Sequence, residues 1–344
     1  MYPQISVVIV TFNSERTLDV TLSSIRKQDY PQGNIEILII DGGSTDRTKE
    51  IAKRYHCTII SHPNTEVIYR KHIGFTKALG KYILYLDSDE SLENPESVSL
   101  KYLAFSENPL VKCVISEGFK SPKHTSFIND YSNEFGDPFS YYLYGESYDA
   151  KFLIEERKKK YKILKENNKY IIFDMKNNNS SIVEPWAGGS MIDLEYVKST
   201  FPQIKKDPHL IPLLFYLLKG RGKLLAITKN DAIIHHSSVS LGRYLKKISS
   251  RVKNNVFQTK MGKGGYTGRE QFQNRSYYFK KFFFPLYAFS LMPALIDSIA
   301  LSVSRKKLSY LIHFPLSLYT ASLITLFMLL KTIGLRPKVG MYGS

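Results

Sequence analysis

Two aspartates one residue apart, Asp87 and Asp89, follow directly on the apolar run Tyr82 to Leu86. Carboxylates at the mouth of a strand offer oxygen ligands to a hard divalent cation. Taken alone, Asp-Ser-Asp is also an ordinary solvated turn, because both residue types are turn formers. Asp41 opens a second acidic stretch, Asp-Gly-Gly-Ser-Thr-Asp, in which glycine permits unusual backbone angles and Asp46 caps the following helix. A third acid, Asp207, precedes Pro208, the arrangement of a helix N-cap with proline at the first helical position. Cys57 and Cys113 lie far apart with no ligand partner at short spacing. Cysteine chemistry is therefore set aside, and a reducing compartment fits.

Positioning these acids requires strands. Ile5 to Val10 and Ile35 to Ile40 are short, continuous, β-branched apolar runs, the pattern of strands buried on both faces. Cys57 to Ser61 and Tyr82 to Leu86 add two more. Helices are expected between them: residues 14 to 28, with Leu18, Leu22 and Ile25 at helical spacing and Ser14 as N-cap; residues 46 to 55; and residues 69 to 79. The alternation predicts an α/β fold with a mostly parallel, Rossmann-like sheet flanked by helices. Ligands bind such sheets at the carboxyl ends of the strands, which here carry Thr11 to Asn13, Asp41 to Ser44 and Asp87 to Glu90. Residues 121 to 180 lack a clean period and read as a variable excursion with one basic helix, 155 to 165. Further on, a helix over 208 to 219 and strands over 223 to 228 and 232 to 234 are expected.

Val-Val-Ile-Val-Thr-Phe-Asn-Ser-Glu, Ile-Ile-Asp-Gly-Gly-Ser-Thr-Asp and Leu-Tyr-Leu-Asp-Ser-Asp occur in this order at strand ends. With these three motifs, residues 5 to 89 resemble the nucleotide-binding half of family 2 glycosyltransferases with the GT-A fold. The resemblance implies a nucleotide-sugar donor, UDP favoured and GDP possible. Asp41 would accept an N–H of the base, with Thr11 and Asn13 lining the same pocket, and Arg70 would lie on the diphosphate with Lys71 competing for that place. It implies Mg2+ or Mn2+ on Asp87 and Asp89, with Ser88 between them at the donor and His235 as a third ligand or phosphate contact. Trp186, Gly188 and Gly189 match an acceptor loop, and Asp207 falls where the family carries its catalytic base, although Lys206 replaces the usual acidic neighbour. The processive synthases' Gln-X-X-Arg-Trp is absent, since Gln271 to Arg275 has the wrong spacing and no Trp, which favours single addition. Gly262 to Arg269 is a candidate basic lid. For each assignment a packing, capping or surface role is the plain alternative.

The net charge of +17 admits nucleic acid, an anionic membrane or a phosphorylated substrate. Lysine and arginine concentrate at Lys151 to Lys169 and at Arg243 to Lys281, the second block just ahead of the most apolar part of the chain, which favours a membrane over nucleic acid. Phe282 to Ser304 and Leu308 to Leu330 each reach the length of a membrane crossing, separated by Arg305-Lys306-Lys307. The expected organisation is a catalytic domain over 1–240, a basic juxtamembrane segment over 241–281 and membrane-associated helices over 282–344, with one or two spans. If both crossed, the Arg-Lys-Lys loop would lie opposite the catalytic domain; a first segment lying in the interface is the alternative. No secretory signal is apparent, so the catalytic domain is expected in the cytoplasm at the cell membrane. The acceptor is expected to be lipid-linked or a membrane-proximal glycan. A polyprenyl-phosphate acceptor, which needs no strong base, and a nucleotidyltransferase are the competing readings; the lack of glycine in Thr11-Phe-Asn-Ser-Glu-Arg argues against the latter.

Overall fold

The computed structural model describes residues 2–123, 125–176, 184, 187–221, 224–236, 240–258, 272 and 275–338. Its first half alternates strand and helix: β1 Ile5–Thr11, α1 Leu18–Arg26, β2 Ile35–Asp41, α2 Thr48–Arg54, β3 Thr58–Ser61, α3 Val67–Lys77, β4 Tyr82–Asp87, β5 Glu90–Leu92, α4 Ser97–Glu107, β6 Cys113–Ile115 and β7 Gly118–Lys120. All seven residues of β1 are buried, as a strand covered by helices on both faces requires. Val8 and Val10 enter one apolar core, while Val7 and Ile9 enter another across the sheet. The expected strands sit where their apolar runs lie, each shifted by at most one residue at its ends. Ser14 does not cap α1 with its side chain; its hydroxyl instead meets Ser88 at 2.9 Å.

The region read as an excursion is ordered into α5 Phe127–Phe135, α6 Pro138–Tyr144, α7 Leu153–Lys160 and the hairpin β8 Lys162–Glu166 and β9 Tyr170–Asp174. The basic helix thus ends at Lys160, not at residue 165, and the chain turns into an exposed edge strand. Next come β10 Ser190–Asp193, α8 Leu194–Thr200, a 3-10 stretch Pro208–Leu213, α9 Leu214–Arg221, β11 Leu224–Thr228 and β12 Ala232–His235. The single helix expected over 208 to 219 is split there, with Pro212 inside the tighter turn.

Among the described residues the main sheet has nine strands in the order β3-β2-β1-β4-β10-β6-β11-β9-β8, with β9 and β10 running against the other seven. Register places Thr11 opposite Asp41 and Val10 opposite Asp87, so β1, β2 and β4 release their polar ends along one edge. A small sheet, β5-β12-β7, stands beside that edge and pairs His235 with Glu90.

The last part comprises α10 Leu241–Phe257, α11 Arg275–Lys280, α12 Phe284–Phe289, α13 Met292–Arg305 and α14 His313–Thr332. A third apolar core joins these helices to the excursion, with Ile128, Tyr131 and Phe135 of α5 meeting Tyr244 and Ile248 of α10 and Leu316 and Phe327 of α14. Phe282 to Ser304 is not one helix. It breaks at Leu291, whose φ is +65°, and its two arms meet at 88°. Leu308–Thr332 is, among the described residues, the one unbroken helical stretch long and apolar enough to cross a membrane, with a mean hydropathy of 1.6 in its most apolar window. Arg305 is not held away from the domain either, because it pairs with Glu134 and Glu156 at 2.7 Å, and Lys307 pairs with Asp130 at 2.6 Å.

Candidate active site

Asp87 and Asp89 emerge at the end of β4 with side chains 37% and 35% exposed. Asp87 Oδ1 accepts from Lys71 Nζ at 2.6 Å, although Lys71 itself is almost wholly buried on α3. Asp89 lies 3.3 Å from His235 Nε2, and it also accepts His236 N–H on its backbone carbonyl at 2.7 Å. His235 Nδ1 is 2.8 Å from Asn133 Oδ1, a geometry that fits a proton on that nitrogen, and a second proton on Nε2, facing Asp89, would make the ring cationic. Burial opposes that charge more than any one neighbour favours it, but the Asp89 bond together with the charges of Asp89 and Glu90 raises His235 above the ordinary histidine value. Burial likewise raises Asp89, and the His235 bond and charge reverse the sign, so Asp89 ends below the usual carboxylate range.

The three-ligand metal set expected from the sequence is not assembled. Asp87 turns to Lys71, Asp89 and His235 turn to each other, and no group of three or more His, Cys, Asp or Glu side chains among the described residues is arranged to hold a metal. The physical reason is the buried ammonium of Lys71, which occupies one side of Asp87. Ser88 is turned toward α1, with its hydroxyl on Ser14 and its carbonyl accepting from Thr21 at 3.1 Å.

Across the edge, Asp41 is fully buried and each of its oxygens accepts twice: Oδ1 from Thr11 Oγ1 (3.1 Å) and Ser44 Oγ (2.5 Å), Oδ2 from the N–H groups of Gly43 (3.1 Å) and Ser44 (3.0 Å). Burial pushes this carboxyl up, and the Ser44, Thr11 and Gly43 bonds together hold it below the ordinary value. Asp41 therefore builds the β2 turn, with all four of its lone-pair directions engaged. Asn13, at φ +49°, completes the junction: its N–H donates to Ser44 Oγ at 2.9 Å and its Oδ1 accepts Thr45 N–H at 2.9 Å. Arg70 is buried and donates to the Thr11 carbonyl at 2.5 Å, while its Nε has no hydrogen-bond partner. Gly42 makes this possible, since a Cβ there would stand 2.3 Å from Arg70 Nη1. Burial lowers the guanidinium's pKa, against the pull of Asp41 and Asp87.

Gly188 and Gly189 have φ of +63° and +67°. A Cβ on Gly189 would meet Ile233 Cδ1 at 2.6 Å, and one on Gly188 would touch the Phe119 ring at 3.0 Å, so both positions need glycine to pack against the small sheet. Trp186 and the basic stretch Gly262 to Arg269 lie outside the described residues. Asp207 caps the 3-10 stretch, accepting His209 N–H at 2.9 Å, and no hydrogen bond or ion pair among the described residues links it to the strand-mouth acids. That stretch packs on α3, the helix that carries Arg70 and Lys71.

Three residues went unassigned in the sequence. Glu90, buried, accepts the N–H groups of Asp87 (2.9 Å) and Gly188 (3.0 Å), and burial together with Asp87 pushes it up to about 8. Its position as one acid beyond the Asp-Ser-Asp was the available signal. Phe12 is 56% exposed at the end of β1, an apolar ring at a polar edge. Lys247 of α10, within electrostatic reach of Asp89 and Asp87, is lowered to about 8 chiefly by the charge of Arg251.

Residues 6–175 match the family described as glycosyl transferase family 2. Over 91 residues the chain is 31% identical to poly(ribitol-phosphate) beta-N-acetylglucosaminyltransferase TarS of Staphylococcus aureus, covering 25% of this chain and 16% of that protein. Over 115 residues it is 32% identical to a cholesterol galactosyltransferase of Borreliella burgdorferi, covering 32% of each. The matched stretches thus span well under two thirds of these curated relatives. Among solved structures, mannosyltransferase PcManGT from Pyrobaculum calidifontis, in complex with GDP-Man and Mn2+, superposes with a TM-score of 0.51 at 14% identity over 95% of this chain and 88% of that one. The shared feature is the fold, a GT-A arrangement.

Proposed function

We propose, from the premise that residues 6–175 are a glycosyl transferase family 2 domain on a GT-A fold, that this protein moves a sugar from a nucleoside diphosphate, UDP favoured and GDP possible, to a lipid-linked or membrane-proximal acceptor at the cytoplasmic face of a membrane. The observation that carries the reading is the half-exposed carboxylate pair Asp87 and Asp89 beside the buried cations Lys71 and Arg70. Hard carboxylate oxygens suit Mg2+ or Mn2+. Asp87 and Asp89 would hold it. Its chemistry there is to stabilise charge on the departing nucleoside diphosphate.

The chain's own groups supply the rest. Lys71 and Arg70 neutralise the diphosphate, the Arg fork contributing its unpartnered Nε. Phe12 offers a face to the base. Asn13 and Thr11 line that pocket, and Asp41 holds its walls and accepts the base N–H when the Ser44 hydroxyl turns away. His235 keeps Asp89 ionised and oriented. Gly188 and Gly189 let the acceptor approach the small sheet. Asp207 removes the acceptor proton in an inverting transfer; capping uses one lone pair of its Oδ1, so the two roles are compatible. A second reading, a phosphate acceptor that needs no base, draws support from that capping bond and from Lys247 beside the site.

The test is release of nucleoside diphosphate from a panel of UDP- and GDP-sugars by detergent-purified protein, with polyprenyl lipid extract and with Mn2+ or a chelator. Lipid-stimulated, chelator-sensitive release supports the transferase reading; no release from any donor sinks it. Asp207→Asn keeps a good N-cap while removing the base. A fall in turnover of about 10²-fold or more assigns Asp207 as the base, and unchanged turnover favours the phosphate acceptor.

A further inference from the structure

The helices at the C-terminal end turn their polarity inside out. On α13 the outward stripe at helical spacing is Met292, Ile296, Ile299 and Val303, from 49% to 72% exposed, while the inward face holds Ala294, Ser298 and Ser302 beside a single large apolar residue, Leu301. On α14 the inward face carries His313, Ser317, Thr320 and Ala321 beside Leu316 and Phe327, and Leu326, Leu329 and Ile333 face out. α12 exposes Leu286 and Phe289, preceded by Phe282 and Phe283. Exposed lysines border this surface: Lys280 just before it, Lys306 between α13 and α14, and Lys338 beyond α14. A helix in water shows the opposite pattern, and a continuous apolar face rimmed by cations matches hydrocarbon beneath anionic head groups.

Three observations decide whether these helices cross. The arms before and after Leu291, 15 and 14 residues long, each extend only about 20 Å at 1.5 Å per residue, short of a hydrocarbon core of about 30 Å, and the 88° bend between them precludes their acting as one rod. Arg305 and Lys307, at the far end of the second arm, are bonded to Glu134, Glu156 and Asp130 of α5 and α7, so that end has returned to the catalytic domain. α14 is long enough to span, yet it runs beside α10 over most of its length: Tyr319 OH donates to the Leu245 carbonyl at 3.4 Å, the Phe327 and Phe257 rings lie 6.2 Å apart, and Lys331 Nζ donates to the Val256 carbonyl at 2.7 Å. α10 carries Arg243, Lys246, Lys247, Arg251 and Lys253 within 17 residues and begins five residues after His236 of the site. A helix so charged does not enter hydrocarbon, and α14 cannot cross while packed along it.

We infer that the protein is monotopic: α12, α13 and α14 lie in one leaflet of an anionic bilayer, apolar faces down, and neither apolar stretch crosses. This rests on the membrane attachment proposed above but not on the proposed chemistry. The partner is the lipid surface itself.

Two measurements on the full chain test it. In sealed, oriented membrane vesicles with a Cys57→Ser background, single cysteines at Lys53→Cys in the catalytic domain, Lys306→Cys and Lys338→Cys are labelled with an impermeant maleimide. All three are expected to label from one side; labelling of Lys338→Cys only from the side opposite Lys53→Cys overturns the inference in favour of a spanning α14. Purified protein is also floated with phosphatidylethanolamine–phosphatidylglycerol vesicles. Phe282→Glu with Leu286→Glu, and separately Val303→Glu, are expected to cut flotation at least about tenfold with unchanged melting, whereas Leu110→Glu, an exposed apolar site elsewhere, leaves it intact. Absence of flotation by the wild type, or self-association that replaces it, overturns the membrane surface as partner while leaving nucleoside diphosphate release in detergent untouched.

Discussion

The edge where β1, β2 and β4 end and the seam where the C-terminal helices meet α5 and α7 both gather charge, and they treat it in opposite ways. At the edge, Asp87 and Asp89 keep over a third of their side-chain surface in solvent although each has a cationic neighbour. At the seam, Glu134 is fully buried, Arg305 is 11% exposed, and the pair is further satisfied by Tyr310, Ser147 and Glu156. A carboxylate left partly open to solvent can turn to a ligand, whereas the Glu134–Arg305 pair, closed off on both sides, holds two elements together. Burial of an ion pair is thus a guide to its use, and the two regions should respond differently when one partner is removed.

The largest effect is expected at the edge. Asp89→Ala should lower nucleoside diphosphate release by about 10³-fold while the melting transition barely moves, because the side chain is part-exposed and no core depends on it. At the seam the pattern inverts. Arg305→Ala should cost about 3 kcal/mol in denaturant unfolding, since it strands Glu134 without its cation, yet activity per folded molecule should persist. An Asp89→Ala that unfolds, or an Arg305→Ala that inactivates without destabilising, would break the comparison outright. Gly189→Ala tests the boundary between the regions: the strained φ and the 2.6 Å approach to Ile233 predict about 2 kcal/mol of lost stability, read by thermal melting.

The smallest effect is a pH dependence. Asp41 is held below the ordinary carboxylate value in the fold, burial being outweighed by its Ser44, Thr11 and Gly43 bonds. Its stabilisation is therefore fully present above the unfolded value and is lost as pH falls through the folded one. Unfolding midpoints followed from neutral to acid pH should decline less steeply in Asp41→Asn than in the wild type, and identical slopes would show that the turn does not depend on the charge.

The strand edge was legible because parallel strands buried on both faces leave a continuous apolar run, and the polar residues that follow must then share one edge. What those residues do to one another was not legible. That Lys71 rather than Arg70 meets Asp87, and that Asp41 accepts hydrogen bonds from Ser44 and Gly43 of its own turn, follow from helix rotation and loop closure, which spacing does not encode. Lys162–Glu166 reads as a helix end because every residue of it is exposed; only pairing with Tyr170–Asp174 makes it a strand. The C-terminal stretches announced their apolarity but not their path, since the Arg305–Glu134 contact joins residues 171 positions apart. Glu90 was visible as an acid, but its raised pKa exists only once β5 is buried.

One feature sets the geometry of any encounter with an acceptor. α10 packs on α14 through Tyr244, Ile248 and Val252 and carries Lys247, on the flank of that face, within electrostatic reach of Asp89, so one helix links the strand-mouth acids to the apolar platform. With the platform seated in a leaflet, α10 acts as a ruler. It would fix the height at which the proposed donor sugar waits, and an acceptor would be selected by how far its reactive atom stands above the lipid as much as by its chemical identity. Turnover would then follow the mole fraction of acceptor within the bilayer rather than its bulk concentration, and lengthening or shortening the acceptor's head group by one sugar would move it out of register.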